Sequence, residues 1–149
     1  LVGSEMCIRD RKKGETDFDQ SYYFPIETIS IPDIKGNKAN YIYSKTYTGN
    51  GKLYGYFNVP GYVSNPPDYV NDKSMQTFEI DVYNKTVKKM NFDGTTGWSC
   101  SQCKAGDYMV FGMASTQGTG YYLYNYKEDK YEPLKIKTEG NPFKIQYLK

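Results

Sequence analysis

A repeated segment is the feature that most restricts how this chain can fold. Residues 78–90 align without gaps on residues 122–134, at an offset of 44 residues (122 − 78). The aligned pairs that keep apolar or aromatic character are Phe78/Tyr122, Ile80/Tyr124, Val82/Tyr126, Val87/Tyr131 and Met90/Leu134. Asp81 aligns with Asn125, and both are short polar side chains that can brace a hairpin.

Strand patterns surround this repeat. Residues 51–55 align on residues 106–110 at an offset of 55 (106 − 51), so the first repeat carries 11 extra residues (55 − 44) between its second and third strands. The predicted strands are 40–47, 52–59, 76–83 and 86–92 in the first unit, and 97–103, 107–115, 120–126 and 131–137 in the second. Residues 22–31 are expected to form the outer strand of an earlier unit, and residues 143–148 to start or close another.

The pattern indicates an all-β fold. Four-stranded units with a period of about 40–45 residues are typical of propeller blades. The predicted fold is therefore a β-propeller fragment of about two four-stranded blades, residues 40–92 and 97–137, plus flanking strands. A propeller closes with about four to eight blades, so the whole protein is expected to be at least twice as long. A small complete sandwich is the alternative. Two isolated blades are expected to aggregate or stay molten, because their edges are open.

The composition argues against several function classes. The 149 residues carry 19 Lys+Arg and 17 Asp+Glu, and the net charge of +2 gives no strong field for nucleic acid or an anionic membrane. The chain has no His, which removes the commonest general base and the commonest metal ligand. No run of 18 apolar residues is present. Phosphate-binding Gly loops, EF-hand spacing and nucleophile elbows are also missing. We therefore predict no catalytic residue, no cofactor and no metal site.

Two further groups of residues have simple structural explanations. Cys100 and Cys103 form a CxxC motif, which supplies only two of the four ligands of a structural zinc site. Buried or half-buried thiols are the expected state, and a metal or redox pair is the alternative. The carboxylates at predicted turns are Asp81, Asp93, Asp107, Glu128, Asp129 and Glu132. Turn bracing explains them more simply than a catalytic pair.

Residues 1–11 are expected to be foreign to the natural protein. The string CTC GTG GGC TCG GAG ATG TGT ATA AGA GAC translates to the first ten residues and resembles a tagmentation sequencing adapter. Both Arg residues lie in this stretch, whereas the remaining 138 residues (149 − 11) contain 17 Lys and no Arg. The prediction is an adapter-derived, disordered segment over 1–11 and a partial propeller domain over 12–149. A natural, poorly ordered N-terminus is the alternative. If residues 1–11 derive from an adapter, the true N-terminus and any signal peptide are expected to precede this sequence.

The insertion at residues 60–73 is the best candidate for a binding loop. Loops on a rigid scaffold are where binding residues concentrate, and this one carries Tyr62 and Tyr69 together with Pro60, Pro66 and Pro67, which stiffen it. A loop that only covers the blade is the alternative. Trp98, the only Trp, is expected on an innermost strand, either stacking a ligand in the channel or packing between blades. The predicted ligand-binding residues are Lys52, Tyr54, Tyr62, Tyr69, Trp98 and Lys104.

Four segments resemble a bacterial family. They are Lys-Leu-Tyr-Gly-Tyr-Phe (52–57), Thr-Phe-Glu-Ile-Asp-Val (77–82), Tyr-Met-Val-Phe-Gly-Met-Ala-Ser (108–115) and Glu-Gly-Asn-Pro-Phe-Lys-Ile-Gln-Tyr-Leu-Lys (139–149). With them, residues 26–149 resemble the last third of a propeller lipoprotein family from Bacteroidetes, known mostly as a domain of unknown function. The resemblance implies an exported, lipid-anchored propeller. Some members are similar to surface proteins that capture ferric siderophores beside a TonB-dependent transporter. No family binding motif can be placed residue by residue.

The predicted function is non-enzymatic ligand binding at the cell surface or in the periplasm, with a lipid anchor to the outer membrane outside this sequence. The expected partners are a ferric siderophore or a glycan, and an outer-membrane transporter, without nucleic acid. Lys charges and Tyr or Trp faces suit an anionic, aromatic catecholate complex. The alternatives are a polysaccharide-binding or polysaccharide-degrading propeller and a protein-interaction scaffold of the cell envelope.

Overall fold

Two four-stranded antiparallel sheets form the body of the protein. The computed structural model describes residues 7–148, and within that range it contains ten strands, two short 3₁₀ helices and no α-helix. In chain order the strands are β1 (Cys7–Arg9), β2 (Tyr23–Pro25), β3 (Tyr41–Gly49), β4 (Lys52–Asn58), β5 (Met75–Asp81), β6 (Thr86–Lys89), β7 (Ser101–Ala105), β8 (Tyr108–Ser115), β9 (Gly118–Asn125) and β10 (Lys130–Lys137). The all-β prediction is therefore confirmed.

Each sheet is an up-and-down meander. The first pairs β3, β4, β5 and β6 in that order, and the second pairs β7, β8, β9 and β10. Their first strands, β3 and β7, lie next to each other, and side chains from both sheets share one apolar cluster. Neither sheet closes on itself within residues 7–148. In the same range, no helix is long and apolar enough to cross a bilayer.

The repeated hairpin has the same local structure in both sheets. The carboxylate of Asp81 accepts hydrogen bonds from the backbone N–H groups two and three residues further on, at 3.0 and 2.9 Å. The amide oxygen of Asn125 accepts the equivalent pair at 3.0 and 3.2 Å. Lys85 and Asp129 occupy equivalent positions in the two turns, and their φ angles are 52° and 51°. The prediction that Asp81 and Asn125 brace their hairpins is confirmed.

In the structure, the offset between the second strands of the two units is one residue larger than the sequence alignment predicts. The pairing of β4 with β5 and of β8 with β9 superimposes Leu53 on Met109, an offset of 56 residues (109 − 53), so the first unit has 12 extra residues (56 − 44). The same register superimposes Asn50, not Gly51, on Gly106. Both Asn50 and Gly106 adopt positive φ, 52° and 59°. Asn shares that tolerance with Gly, so matching the glycines was misleading.

Two apolar clusters cover the two faces of the first sheet. The cluster between the sheets consists of Tyr54, Tyr56, Met75, Met90, Phe92, Cys100, Met109, Phe111, Met113, Tyr122 and Tyr124. The other cluster consists of Phe24, Ile26, Ile31, Ile34, Phe57, Val59, Phe78, Ile80 and Val87. Tyr56 ties the sheets together, because its buried hydroxyl lies 3.2 Å from the carbonyl oxygen of Ser101 and 3.1 Å from that of Gly112. Tyrosine thus supplies core bulk.

The strand expected over 97–103 begins later, at Ser101. The hydroxyl of Thr95 donates to the carbonyl oxygen of Ser99 at 2.9 Å, and the Ser99 N–H donates to the carbonyl of Thr96 at 3.1 Å. These local hydrogen bonds compete with strand pairing and hold residues 96–99 in a turn. Trp98 is therefore at a turn and not on the innermost strand.

Both flanking segments also differ from the prediction. Residues 22–31 form only the three-residue strand β2, followed by the 3₁₀ helix Ile26–Thr28, which buries Ile26. Residues 143–148 form no strand. The carbonyl of Pro142 accepts a hydrogen bond from the Ser101 hydroxyl, so the tail here crosses side chains of the second sheet and does not pair along a strand edge.

The described part of residues 1–11 is more ordered than expected. Strand β1 pairs antiparallel with β2, with Ile8 opposite Phe24. Ile8 is half-buried against the apolar cluster that contains Phe24 and Ile26. The expectation of a disordered segment is therefore wrong for residues 7–9, because their backbone pairs with β2. Residues 1–6, including Met6, lie outside the described residues. Adapter origin stays a prediction.

Candidate functional site

An open cleft of about 560 Å³ lies at the end of the first sheet where β3 begins and β4 ends. Four aromatic side chains line it and remain exposed: Tyr41 (42%), Tyr43 (53%), Tyr69 (72%) and Trp98 (63%). The rest of the lining consists of Asn40, Asn58, Pro60, Val63, Ser74, Met75 and Gly97. Exposed rings gathered at one place mark an interaction site more often than rings scattered singly.

A β-bulge in β3 places a tyrosine beside this cleft. The register between β3 and β4 shifts between Ile42 and Ser44, so Tyr43 has no partner on β4. A bulge changes the direction in which a side chain points, and bulges are frequent beside functional sites. Gly55 permits the close approach of the two strands, because a Cβ there would lie 2.0 Å from the carbonyl oxygen of Ser44.

The insertion at residues 60–73 contributes Tyr69 and is held by its own hydrogen bonds. The carboxylate of Asp72 accepts from the backbone N–H of Ser64 at 3.0 Å and from that of Asp68 at 3.1 Å. The carboxylate of Asp68 accepts from the side-chain amide of Asn71 at 2.8 Å. These hydrogen bonds lower the pKa of both aspartates, so both are ionised at neutral pH. The loop is therefore ordered before any ligand arrives.

Two contacts anchor this loop to the body of the protein. The ammonium of Lys73 donates to the carbonyl oxygen of Ala114 in the second sheet at 2.7 Å. The hydroxyl of Tyr62 accepts from the backbone N–H of Lys35 at 3.3 Å, and the Tyr62 ring packs on the cluster that covers the first sheet. Tyr62, a predicted ligand-binding residue, thus has a structural contact outside the cleft lining.

Lys52 and Tyr54 lie at the opposite end of the first sheet. The ammonium of Lys52 is 2.7 Å from Oε1 of Glu79 and 3.0 Å from Oδ2 of Asp81. The Tyr54 hydroxyl donates to Oε2 of Glu79 at 3.1 Å. Burial lowers the pKa of Lys52, but its hydrogen bonds with the two carboxylates raise it overall, and burial together with Glu79 raises the pKa of Tyr54. The polar atoms of both predicted residues thus have partners within the protein.

Lys104 belongs to this second end as well. Its ammonium donates to the carbonyl oxygen of Thr48 at 3.2 Å and lies 5.6 Å from the centroid of the Tyr126 ring. A second cleft of about 400 Å³ at this end is lined by Lys52, Tyr54, Glu79 and neighbouring residues. The two ends are connected by β4, whose length is roughly 20 Å.

The structure therefore divides the six predicted ligand-binding residues. Tyr69 and Trp98 meet in the aromatic cleft, whereas Lys52, Tyr54 and Lys104 lie at the far end. Sequence reasoning missed Tyr41 and Tyr43, because their alternation in β3 was interpreted only as a strand pattern. The clustering of Tyr at 41, 43 and 47 was the available signal.

The cysteines behave as ordinary thiols. Cys100 and Cys103 are both free, the first buried and the second half-buried. The Cys100 thiol donates to the carbonyl oxygen of Thr96 at 3.1 Å. Burial raises the pKa of Cys100 to about 12 and also raises that of Cys103. Among residues 7–148 there is no cluster of three or more His, Cys, Asp or Glu side chains that could hold a metal ion.

Several turn carboxylates have partners inside the protein. The Tyr124 hydroxyl donates to Asp129 at 2.8 Å, and Glu132 forms an ion pair with Lys135 at 2.8 Å. Glu132, predicted at a turn, lies instead within β10, where it is opposite Leu123. The contacts of Asp81 and Asp129 agree with the interpretation that turn carboxylates stabilise structure.

Comparison of the chain with models of protein families, with curated proteins and with solved structures finds no match in any of the three. The interpretation of the aromatic cleft therefore depends on its own geometry.

Proposed function

We propose that this chain binds a small-molecule ligand without catalysis, as part of a β-propeller exposed at a bacterial cell surface. The observation that supports binding most directly is the meeting of four exposed rings at one cleft of about 560 Å³. That volume lies within the range of about 300–1,000 Å³ usual for ligand sites. The rings provide faces for stacking, and the side-chain amide of Asn40 and the side-chain oxygen of Asn58 provide hydrogen-bonding groups. The amide N–H group of Asn58 donates to the Ser74 hydroxyl at 3.3 Å, so Asn58 offers an acceptor.

The lining of the cleft favours binding over chemistry. It contains no Asp, Glu, Lys, Arg or Cys side chain. General acid–base catalysis needs a titratable group within hydrogen-bond reach of the reacting atoms, and nucleophilic catalysis needs an activated nucleophile. The tyrosine hydroxyls lack a neighbouring base in the lining that would activate them.

The propeller proposal is supported by how the two sheets are related. Both are four-stranded meanders in chain order, their first strands are adjacent, and the hairpins of their third and fourth strands share the Asp81/Asn125 brace. Consecutive blades of a propeller have this relation.

The proposed location depends on the family resemblance of the sequence. An exported protein, lipid-anchored at the outer membrane beside a transporter, would meet its ligand outside the cell. Two ligand classes follow from that setting: a ferric siderophore and a glycan. A polysaccharide-degrading enzyme and a protein-interaction scaffold are the alternative functions.

Intrinsic fluorescence tests the binding proposal, because Trp98 is the only Trp and lines the cleft. The full chain is titrated with ferric catecholate complexes and with neutral and anionic oligosaccharides. We expect a saturable change in Trp98 emission with at least one ligand class and no ligand turnover by chromatography. The binding proposal is rejected when no ligand changes the emission, and the non-enzymatic part is rejected when an oligosaccharide is cleaved.

A matched pair of variants localises the signal. Tyr69→Ala removes a ring from the cleft, whereas Tyr83→Ala removes a 73% exposed ring at the other end of the first sheet. We expect weaker binding only for Tyr69→Ala. Equal losses for both variants would show that the ligand does not occupy the cleft.

A further inference from the structure

We infer that the aromatic cleft takes a neutral saccharide and excludes an anionic metal chelate. This inference rests on the proposed function, since it names the ligand class of the same cleft. It is derived from the distribution of charge and of hydrogen-bonding groups around the four rings.

The lining of the aromatic cleft carries no charge. The eleven lining residues have aromatic, aliphatic, thioether, amide or hydroxyl side chains or are glycine, and none carries a formal charge. An anionic chelate would lose hydration on entering the cleft, with no cation among these residues to compensate for it. A neutral saccharide needs no such cation, and its hydroxyl groups can pair with the amide of Asn40 and donate to the side-chain oxygens of Asn58 and Ser74. The amide N–H group of Asn58 itself donates to the Ser74 hydroxyl at 3.3 Å.

The loop next to the lining carries negative charge. The loop that presents Tyr69 holds two ionised carboxylates, Asp68 and Asp72, which flank that ring in sequence. The ammonium of Lys73 is engaged with the carbonyl oxygen of Ala114. The loop therefore repels an anion more than it attracts one.

The lysines that were expected to bind an anion lie away from the aromatic cleft. Lys52 forms ion pairs with Glu79 and Asp81, and Lys104 donates to a backbone carbonyl at the opposite end of the sheet. That end is roughly 20 Å from the aromatic cleft, the length of strand β4. At physiological ionic strength the Debye length is about 8 Å, so these lysines contribute little field at the cleft.

The rings themselves suit a pyranose. One face of such a ring presents C–H groups, which pack on the negative face of an aromatic ring, while the hydroxyl groups point outward to polar partners. Trp98 and Tyr69 offer large faces that are more than half exposed. The hydrogen bonds of Asp68 and Asp72 order the loop backbone around Tyr69 before binding, which reduces the backbone entropy lost on association.

The test is a glycan array that carries neutral and anionic saccharides, probed with the full chain and followed by calorimetric titration of the best neutral oligosaccharide. A ferric catecholate complex is titrated in parallel. We expect binding to neutral saccharides, no binding to the uronic-acid or sulfated forms of the same backbone, and no binding of the ferric complex.

Variants check that the saccharide occupies the cleft. Trp98→Ala and Tyr69→Ala are each expected to lower the affinity about tenfold, the equivalent of one lost stacking contact. Tyr83→Ala, at the other end of the sheet, is expected to leave affinity unchanged. Circular dichroism and thermal melts of each variant separate loss of binding from loss of folding.

The outcomes distinguish this inference from the proposed function. Binding of the ferric complex in a manner sensitive to Trp98→Ala, with no neutral saccharide bound, would overturn the inference and leave ligand binding at the cleft intact. Preference for anionic saccharides would also overturn it. If neither saccharides nor the ferric complex bind, both the inference and the proposed function fail.

Discussion

The two ends of the first sheet differ in how their polar and aromatic groups are used. At the end formed by Lys52 and Glu79, an ammonium, two carboxylates and a phenol are paired with one another. At the end formed by Tyr41 and Trp98, large rings stand exposed and the lining is uncharged. The paired end has used its interactions to stabilise the fold, whereas the aromatic end keeps surface available for a partner.

This comparison shows why residue type is a weak guide to a binding site. Tyrosine is found at both ends of the sheet, yet Tyr54 donates its hydroxyl to Glu79, whereas Tyr41 and Tyr43 are exposed beside the cleft. The difference comes from β-sheet geometry, because cross-strand neighbours are close enough to satisfy each other.

The largest effect is expected for Gly55→Ala, which lies between the two ends. The new Cβ would meet the Ser44 carbonyl oxygen at 2.0 Å, and a backbone atom cannot turn aside as a flexible side chain can. We expect a loss of about 2–3 kcal/mol in the free energy of unfolding, as for other overpacked sites. Because Ser44 follows the bulge at Tyr43, ligand binding at the cleft should weaken too. Urea denaturation and Trp98 fluorescence measure the two effects.

Gly97→Ala is the control for this change. Gly97 also belongs to the cleft region, but a Cβ there would meet no atom within 4 Å. Its stability should stay within about 0.5 kcal/mol of the original protein. A Gly55→Ala protein as stable as Gly97→Ala would show that the close approach of β3 and β4 is not required.

Lys52→Ala is expected to have the next largest effect. Removing the ammonium leaves the half-buried carboxylate of Glu79 and the buried carboxylate of Asp81 without their shared cation. We expect a loss of about 1–2 kcal/mol, less than for a fully buried pair because solvent reaches this one. Ligand affinity at the aromatic cleft should not change. Lys127→Ala, at the same end, is the control and should have little effect on denaturation. A Lys52→Ala protein that loses affinity would place the ligand at the paired end.

The sequence predicted the sheets better than their details, for physical reasons. Alternation and turn residues mark strands wherever one face is buried, and the Asp81/Asn125 pair marked both hairpins correctly. Register is harder to predict, because Asn50 adopts the conformation usually assigned to glycine. A slip of one residue exchanges the two faces of a strand. The start of β7 was misplaced since side-chain hydrogen bonds around Trp98 replaced strand pairing.

The candidate site was predicted only in part. The insertion and Trp98 were selected because loops and lone aromatic residues often bind ligands, and both are at the cleft. The bulge that places Tyr43 there is a feature of how β3 pairs with β4, and the alternation of residues within β3 does not show that register shift. No local pattern encodes it, and so Tyr43 was missed.

Acidification should reduce the stability that the paired end of the first sheet contributes, because Asp81 lies there. Hydrogen bonds from Asn84 and from Lys52 lower the pKa of Asp81 below its ordinary value. The stabilisation from this carboxylate is complete above the unfolded-state pKa of about 3.9 and is lost as the pH falls toward the lower folded-state pKa. Asp81→Asn keeps an oxygen acceptor, as Asn125 has at the equivalent position, but does not titrate. We expect its melting temperature to fall less between pH 5 and pH 2.5 than that of the original protein. Parallel melting curves for the two proteins would contradict this assignment.

The smallest effect on stability is expected for Tyr69→Ala. Its ring is 72% exposed, so its removal creates no cavity and leaves the hydrogen bonds of Asp68 and Asp72 that order the loop. The free energy of unfolding should therefore change by less than about 0.5 kcal/mol, while affinity for the cleft ligand falls. This is the reverse of the result expected for Lys52→Ala, and together the two variants show whether stabilisation and binding are located at separate ends. Thermal melts and calorimetric titrations of both proteins provide the measurement. A Tyr69→Ala protein with a clearly lower melting temperature would mean that this ring supports the fold. The aromatic end would then contribute to stability as the paired end does.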